Sequence, residues 1–241
     1  MKWGTKYDES YVNKLYRMVK RHLTLPFRFV CLTDNPKGIE EGIEIFPIPD
    51  IKTFSIERKN FFSKPIRDGA WKKLLTFSSP LYDLTGTALF LDLDLVIVDN
   101  IDDFFFPKGD FFIIKDWLKP DVTGNSSVYR FEIGKHSEII DRYIAEEDKI
   151  RGLFRNEQEY LTAYMKEKGI LAYWDDDLVK SFKRHCLFPG IQSWFRTPRL
   201  PEKARIIAFH GYPNPDQALE GNGGKWFRHI RPAKWVAEHW K

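Results

Sequence analysis

Leu89-Phe90-Leu91-Asp92-Leu93-Asp94-Leu95-Val96-Ile97-Val98 decides how this chain is read. The stretch from Ala88 to Val98 has the apolar character of a strand buried on both faces of a sheet. Asp92 and Asp94 are two apart, so on a continuous strand they share a face with Phe90, Val96 and Val98. Two carboxylates on a buried face repel and lose hydration. A shared proton, a basic partner or a divalent cation has to compensate them. Hard cations such as Mn²⁺ and Mg²⁺ take carboxylate oxygens and leave positions open for phosphate. The plainer reading is a strand-end pair bonded to backbone or to a nearby Lys or Arg.

The flanking sequence alternates helix and strand patterns, which predicts an α/β fold with a mixed central sheet flanked by helices. Tyr11, Leu15, Val19 and Leu23 recur every four residues and predict a helix over Glu9 to His22. Strands are expected at Phe27 to Leu32, Ile43 to Ile48, Phe111 to Ile114, Ser127 to Phe131 and Arg205 to Phe209. Helices are expected at Asp68 to Phe77, His136 to Lys149, Asn156 to Lys168 and Pro232 to Trp240. The 241 residues are read as one domain. Its first half, 1–98, ends in the Asp-x-Asp strand, and its second is 99–241.

Composition excludes several classes. Apolar residues are 43% and charged residues 30%, a globular balance. The net charge of +4 is spread along the chain, suits an anionic ligand and does not call for nucleic acid. No run approaches the ~20 apolar residues of a membrane helix. Met1 to Lys6 lacks the apolar segment of a secretory signal, and two cysteines make no disulfide framework, so a cytoplasmic setting is expected. Aromatic residues reach 16%, enough either to fill a core or to line a site that stacks on rings.

Two chemistries use an Asp-x-Asp pair at the end of an apolar strand. One is metal-dependent glycosyl transfer. The other is phosphoryl transfer of the haloacid dehalogenase type, whose Asp-x-Asp-x-Thr/Val motif also fits Asp92 to Val96. That motif normally opens its domain, whereas more than ninety residues precede it here. Asp175-Asp176-Asp177 also lacks the form of its later acidic cluster.

Further segments appear in a telling order. They are Gly4-Thr5-Lys6-Tyr7, Val30-Cys31-Leu32-Thr33-Asp34, Ala70-Trp71-Lys72-Lys73-Leu74, the acid pair, Gly124-Asn125-Ser126-Ser127-Val128, Asn156-Glu157-Gln158-Glu159 and Ala208-Phe209-His210-Gly211. Together they resemble the GT-A glycosyltransferases, specifically the glycogenin-like and lipopolysaccharide-galactosyltransferase-like group known as family 8. The resemblance implies a Rossmann-type nucleotide-diphospho-sugar transferase fold. It implies that Gly4, Thr5, Lys6, Tyr7, Thr33, Asp34, Lys73, Asp92, Leu93 and Gly211 bind a nucleotide sugar, UDP-hexose by expectation. Asp92, Asp94 and His210 are implied to hold Mn²⁺ or Mg²⁺, and Asn125, Glu157 and Gln158 to meet the transferred sugar. It further implies retention at the anomeric carbon and a saccharide or lipid-linked acceptor.

Two departures stand out. Glu flanks Gln158 on both sides where the family has Asp, which keeps a non-catalytic nucleotide-sugar binding domain open as a reading. The family's late lysine is missing after His210-Gly211, leaving Lys225 or Arg228 as candidates to replace it. Plainer roles exist for other residues. Asn156 and Glu159 have the spacing of a capping box, Asn125 suits a turn, and His210 suits a satisfied core position. The tail, with Trp226, Trp235 and Trp240 among basic residues, can pack on the body, fold over the nucleotide or touch an anionic membrane.

Overall fold

The computed structural model describes residues 1–50, 68–119, 123–224 and 229–241. Helix α1 (Glu9–His22) has the bounds the four-residue periodicity predicts. Asp8 caps it by accepting from Ser10 N at 3.0 Å, and Lys20, Arg21 and His22 in its last turn suit the carbonyl end. Its apolar stripe of Tyr11, Val12, Leu15, Met18 and Val19 is buried.

Parallel strands β1 (Val30–Thr33) and β2 (Glu44–Pro47) form a two-stranded sheet beside it. A tightly wound 3₁₀ helix follows over Asp68–Phe77, in the place where a helix is expected. The segment Ala88 to Val98, expected as one strand, is two. Strand β3 (Thr87–Leu91) ends before Asp92, and β4 (Leu95–Ile97) begins after Asp94. Asp92, Leu93 and Asp94 form the turn between them. The two strands belong to different sheets, so the chain has to bend where it passes from one to the other.

The first of those sheets has the order β3-β6-β5-β7, with β5 (Phe111–Lys115), β6 (Gly124–Glu132) and β7 (Leu171–Tyr173). The second has the order β4-β9-β8, with β8 (Val179–Ser181) and β9 (Ile206–Ala208). Pairings β3–β6 and β4–β9 both cross the boundary at residues 98 and 99. The expected helix over His136 to Lys149 is broken at Glu146 into α2 (Glu138–Ala145) and α3 (Glu147–Leu153). Helix α4 (Glu157–Glu167) starts after Asn156, and Gly169 follows its end at φ 71°. Short α-helices follow at α5 (Gln192–Phe195), α6 (Pro215–Glu220) and α7 (Lys234–His239), and a π-helical turn covers Phe182–Cys186.

Much of the aromatic excess is core. Phe77, Phe90, Phe111, Tyr129 and Phe131 pack as one cluster, with Phe90 stacked on Tyr129 at 4.6 Å. Phe106, by contrast, is 63% exposed. The tail packs on the body. Trp240 is buried edge-on against Tyr11 at 5.1 Å, with the Lys14 ammonium over its ring. Lys225, Trp226 and Arg228 lie outside the described residues.

Replacing Asp8 by alanine leaves the Ser10 amide without its cap. A loss of about 1 kcal/mol is expected, read as a melting temperature lower by roughly 2–4 °C. An unchanged melting curve means that the cap contributes nothing to α1.

Candidate active site at the junction of two sheets

The turn Asp92-Leu93-Asp94 assigns one aspartate to each sheet. Asp92 stays with the first: its N–H donates to Ser127 O on β6 at 2.9 Å. Asp94 belongs to the second: its carbonyl accepts from Phe209 N at 3.1 Å, just beyond β9. Leu93 turns its side chain into the hydrophobic core between them.

On the Asp92 side the hub is Lys73. Its ammonium is 2.8 Å from Asp92 Oδ1 and 2.9 Å from Oδ2. It also donates to Ser126 O and Ser126 Oγ at 3.2 Å, and lies 3.8 Å from Glu157 Oε1. Burial pulls its pKa down, but the Asp92 and Glu157 charges outweigh burial and raise it. Lys73 was expected to face a ligand. It is 9% exposed and spends its donors on protein oxygens, holding the carboxylate of Asp92 in place. Glu157, the first residue of α4, is also buried and accepts from Ser126 Oγ at 2.7 Å. Ser126 therefore joins Lys73 to Glu157, a role its place in the Asn125-Ser126-Ser127 segment did not reveal.

Asp94 is held differently. Its Oδ2 accepts from Tyr7 OH at 2.9 Å and from Gly211 N at 3.2 Å. Burial and then the Asp92 charge raise its pKa, against the lowering effect of those two donors. The N-terminal segment thus reaches the acid pair through Tyr7. Gly4, at φ 61°, places its N–H 2.8 Å from Asp34 Oδ2, which ties the same segment to the end of β1. Thr33 Oγ1 is engaged locally with Asn35, while Thr5 and Lys6 are exposed at the rim.

His210 sits beside Asp94 with φ 36°, a backbone state uncommon outside glycine. The parallel pairing of β8 with β9 brings Ser181 opposite Ala208, and Ser181 Oγ lies 2.6 Å from His210 Nε2. Lys183 donates to His210 O at 3.0 Å, and Trp117 stacks on the imidazole at 4.8 Å. Burial, then the Lys183 charge, lowers the His210 pKa to about 4, so the ring is neutral near pH 7. The ring nitrogen thus faces a serine hydroxyl. Among the described residues no group of three or more His, Cys, Asp and Glu side chains is arranged to hold a metal ion.

Gln158 is half-buried between two partners. Its Oε1 accepts from Ser126 N at 3.4 Å, and its Nε2 donates to Asp116 Oδ2 at 3.3 Å. Asn125 accepts from Ser127 N at 3.0 Å, the local bond of a turn-type asparagine inside β6. Asn156 Oδ1 accepts from Glu159 N at 3.1 Å, while Glu159 Oε2 accepts from Arg155 N, one residue short of a reciprocal capping box. Asp116 and Trp117 escaped sequence reasoning. They lie in a loop after β5 with no periodic pattern, and one holds Gln158 while the other stacks on His210.

Lys73→Met leaves Asp92 and Glu157 facing each other without their cation, and a loss of about 3–5 kcal/mol is expected by chemical denaturation. Combining it with Asp92→Asn should cost less than the sum of the two single changes; strict additivity would separate the pair energetically. The His210 ring should titrate near 4 by proton NMR. Its share of stability is then full above pH 6.5 and fades as the pH falls towards 4. A midpoint near 6.5 contradicts the buried, neutral ring.

No protein-family model and no curated protein sequence matches the chain. Solved structures do. The galactosyltransferase LgtC, in complex with donor and acceptor sugar analogues, superposes with a TM-score of 0.62 at 12% identity, over 95% of this chain and 90% of LgtC. An active-site glutamine-to-glutamate mutant of LgtC matches with the same TM-score, identity and coverage. The glycosyltransferase GlyE of Streptococcus pneumoniae TIGR4 matches with a TM-score of 0.55 at 14% identity, over 98% of this chain and 59% of GlyE. These likenesses are of fold, and the fold is that of the GT-A glycosyltransferases.

Proposed function

We propose that this chain is a glycosyltransferase that moves a hexose from a nucleotide sugar, UDP-linked, to a saccharide or lipid-linked acceptor in the cytoplasm, with retention at the anomeric carbon. One observation carries the reading. Within a glycosyltransferase fold, the Asp92–Asp94 turn gathers Lys73, Glu157-Gln158 and His210-Gly211 from three separate parts of the chain. The fold likeness favours a transferase over a haloacid-dehalogenase-type phosphatase.

The acid pair has the chemistry of a divalent-cation site. It offers hard oxygens, and burial together with the neighbouring carboxylate disfavours the charge on Asp94, which a cation relieves. Asp92 and Asp94 would hold Mn²⁺ or Mg²⁺. His210 Nε2 would have to leave Ser181 Oγ to serve as a third ligand. When bound, the ion supplies Lewis-acid neutralisation of the charge that grows on a departing nucleotide diphosphate.

The chain's own residues prepare that site. Lys73 fixes the Asp92 carboxylate at both oxygens, and Tyr7 with Gly211 fixes Asp94 at Oδ2. Lys73, Glu157 and Tyr7 are positioning residues in this reading, since their polar groups are engaged with protein. Gln158 and Asn125 are the candidates to meet the sugar. LgtC has a glutamine in its own active site, and in this reading Gln158 takes the corresponding part by analogy of fold alone. The Gly4–Tyr7 segment and the Thr33-Asp34 end of β1 are the candidates to meet the nucleotide.

Thermal unfolding with a nucleotide panel, with and without Mn²⁺, tests the reading. A nucleotide sugar at a hundred times its Kd should stabilise the chain by about 2.7 kcal/mol. The shift should need Mn²⁺ and vanish in Asp94→Asn. Binding without transfer or donor hydrolysis marks a binding domain instead. Phosphate-ester hydrolysis blocked by Asp92→Asn marks a phosphatase.

A further inference from the structure

One surface stands apart from the site. From Leu178 to Pro201 the chain carries Lys180, Lys183, Arg184, Arg196 and Arg199 and neither Asp nor Glu. At its tip, Ile191 and Phe195 are 75% and 74% exposed, and Trp194 is 47% exposed. Among the described residues these first two are the most exposed large apolar side chains. Three large apolar groups on adjoining turns, exposed to water among cations, are not explained by packing.

The tip is held in shape. Ser193 is buried; its Oγ donates to Gly190 O at 2.7 Å and accepts from His229 N at 3.0 Å. Arg231 donates to Trp194 O at 3.2 Å, and the Trp194 ring stacks on His229 at 4.4 Å. Phe188 supports the cations beside it, with the Arg196 and Arg199 guanidiniums 5.0 Å and 5.7 Å from its ring. The backbone of the tip and the Trp194 ring are therefore already ordered, which lowers the cost of presenting the tip on binding.

We propose that this tip docks the protein onto an anionic lipid bilayer, with Ile191, Trp194 and Phe195 entering the interface and Arg184, Arg196, Arg199 and Arg231 facing the headgroups. Charge selects the partner. Lys180 is paired with Asp177 at 2.7 Å, but a second copy presenting the same face brings the arginines Arg184, Arg196 and Arg199 against their like, because residues 178–201 hold no carboxylate. A negatively charged bilayer answers these arginines and takes the apolar groups as well. This surface takes His229 and Arg231 from the tail but not its end, where Trp240 is buried against α1. It joins the site through Ser181 and Lys183, which bond to His210, and so would hold the site near a membrane. The docking does not depend on the proposed transfer reaction.

Cosedimentation of the full chain tests it, using vesicles of phosphatidylcholine alone and of phosphatidylcholine with phosphatidylglycerol. Binding is expected to the mixed vesicles only, weakening as salt rises. Arg184→Gln/Arg196→Gln should weaken partitioning about 25-fold, near fivefold for each cation. Ile191→Ser/Phe195→Ser should weaken it about tenfold or more, with the melting temperature unchanged because both side chains are exposed. Absence of binding to the mixed vesicles overturns the proposal, as does equal binding to both vesicles or binding that both variants keep. A dimer in solution that Ile191→Ser/Phe195→Ser dissolves also overturns it, assigning the tip to self-association.

Discussion

The buried ammonium of Lys73 holds the centre of this molecule together. It comes from the 3₁₀ helix over Asp68–Phe77 and meets oxygens from the Asp92 turn, from Ser126 on β6 and from Glu157 at the start of α4. An isolated lysine this buried tends to shed its proton. Here the surrounding carboxylates reverse that tendency, so the charge persists. Those carboxylates in turn tolerate burial because the ammonium is among them. The four segments are thus fixed relative to one another by a requirement of charge, and the apolar packing of Trp71, Leu74 and Leu75 sets where the helix carrying Lys73 can lie.

The two aspartates owe their unlike surroundings to the bend between sheets. Asp92 faces an ammonium within ion-pair distance, whereas Asp94 is met by a phenol and a backbone amide. Dipoles compensate a buried charge less completely than an ammonium does, and the pKa of Asp94 is raised accordingly. The site therefore holds one carboxylate that is charge-matched and one that is not. A bound cation gains most at the second, and this asymmetry follows from which sheet each residue joins.

Much of this was legible in the sequence. The four-residue apolar spacing gives both ends of α1, and the residues of the acid pair, Lys73, Glu157, Gln158, His210 and Gly211 do lie in one region. The bend at Asp92–Asp94 was not legible. Leu-Asp-Leu-Asp-Leu alternates with the period of a strand and contains neither Gly nor Pro, so the turn carries no mark. The same lack of a breaker hid the interruption at Glu146 between α2 and α3. The resemblance implies that Glu157 meets the sugar, and its buried partners, Ser126 and Lys73, leave no mark in the sequence because they lie far from it along the chain.

The loop after β5 shows why a distant pairing matters for the site. Asp116 Oδ1 accepts from Leu118 N and Lys119 N at 2.7 and 3.0 Å, which folds the loop back on itself. Its other oxygen takes the amide of Gln158, and the next residue, Trp117, covers His210. Gln158 is bonded to the β3-β6-β5-β7 sheet through Ser126 N, while His210 follows β9 of the other sheet. Neighbouring residues of one short turn thus touch side chains anchored to each sheet. A shift of this loop cannot move the glutamine without moving the ring that covers the histidine, so the two sides of the site are geometrically coupled at a point away from the acid pair.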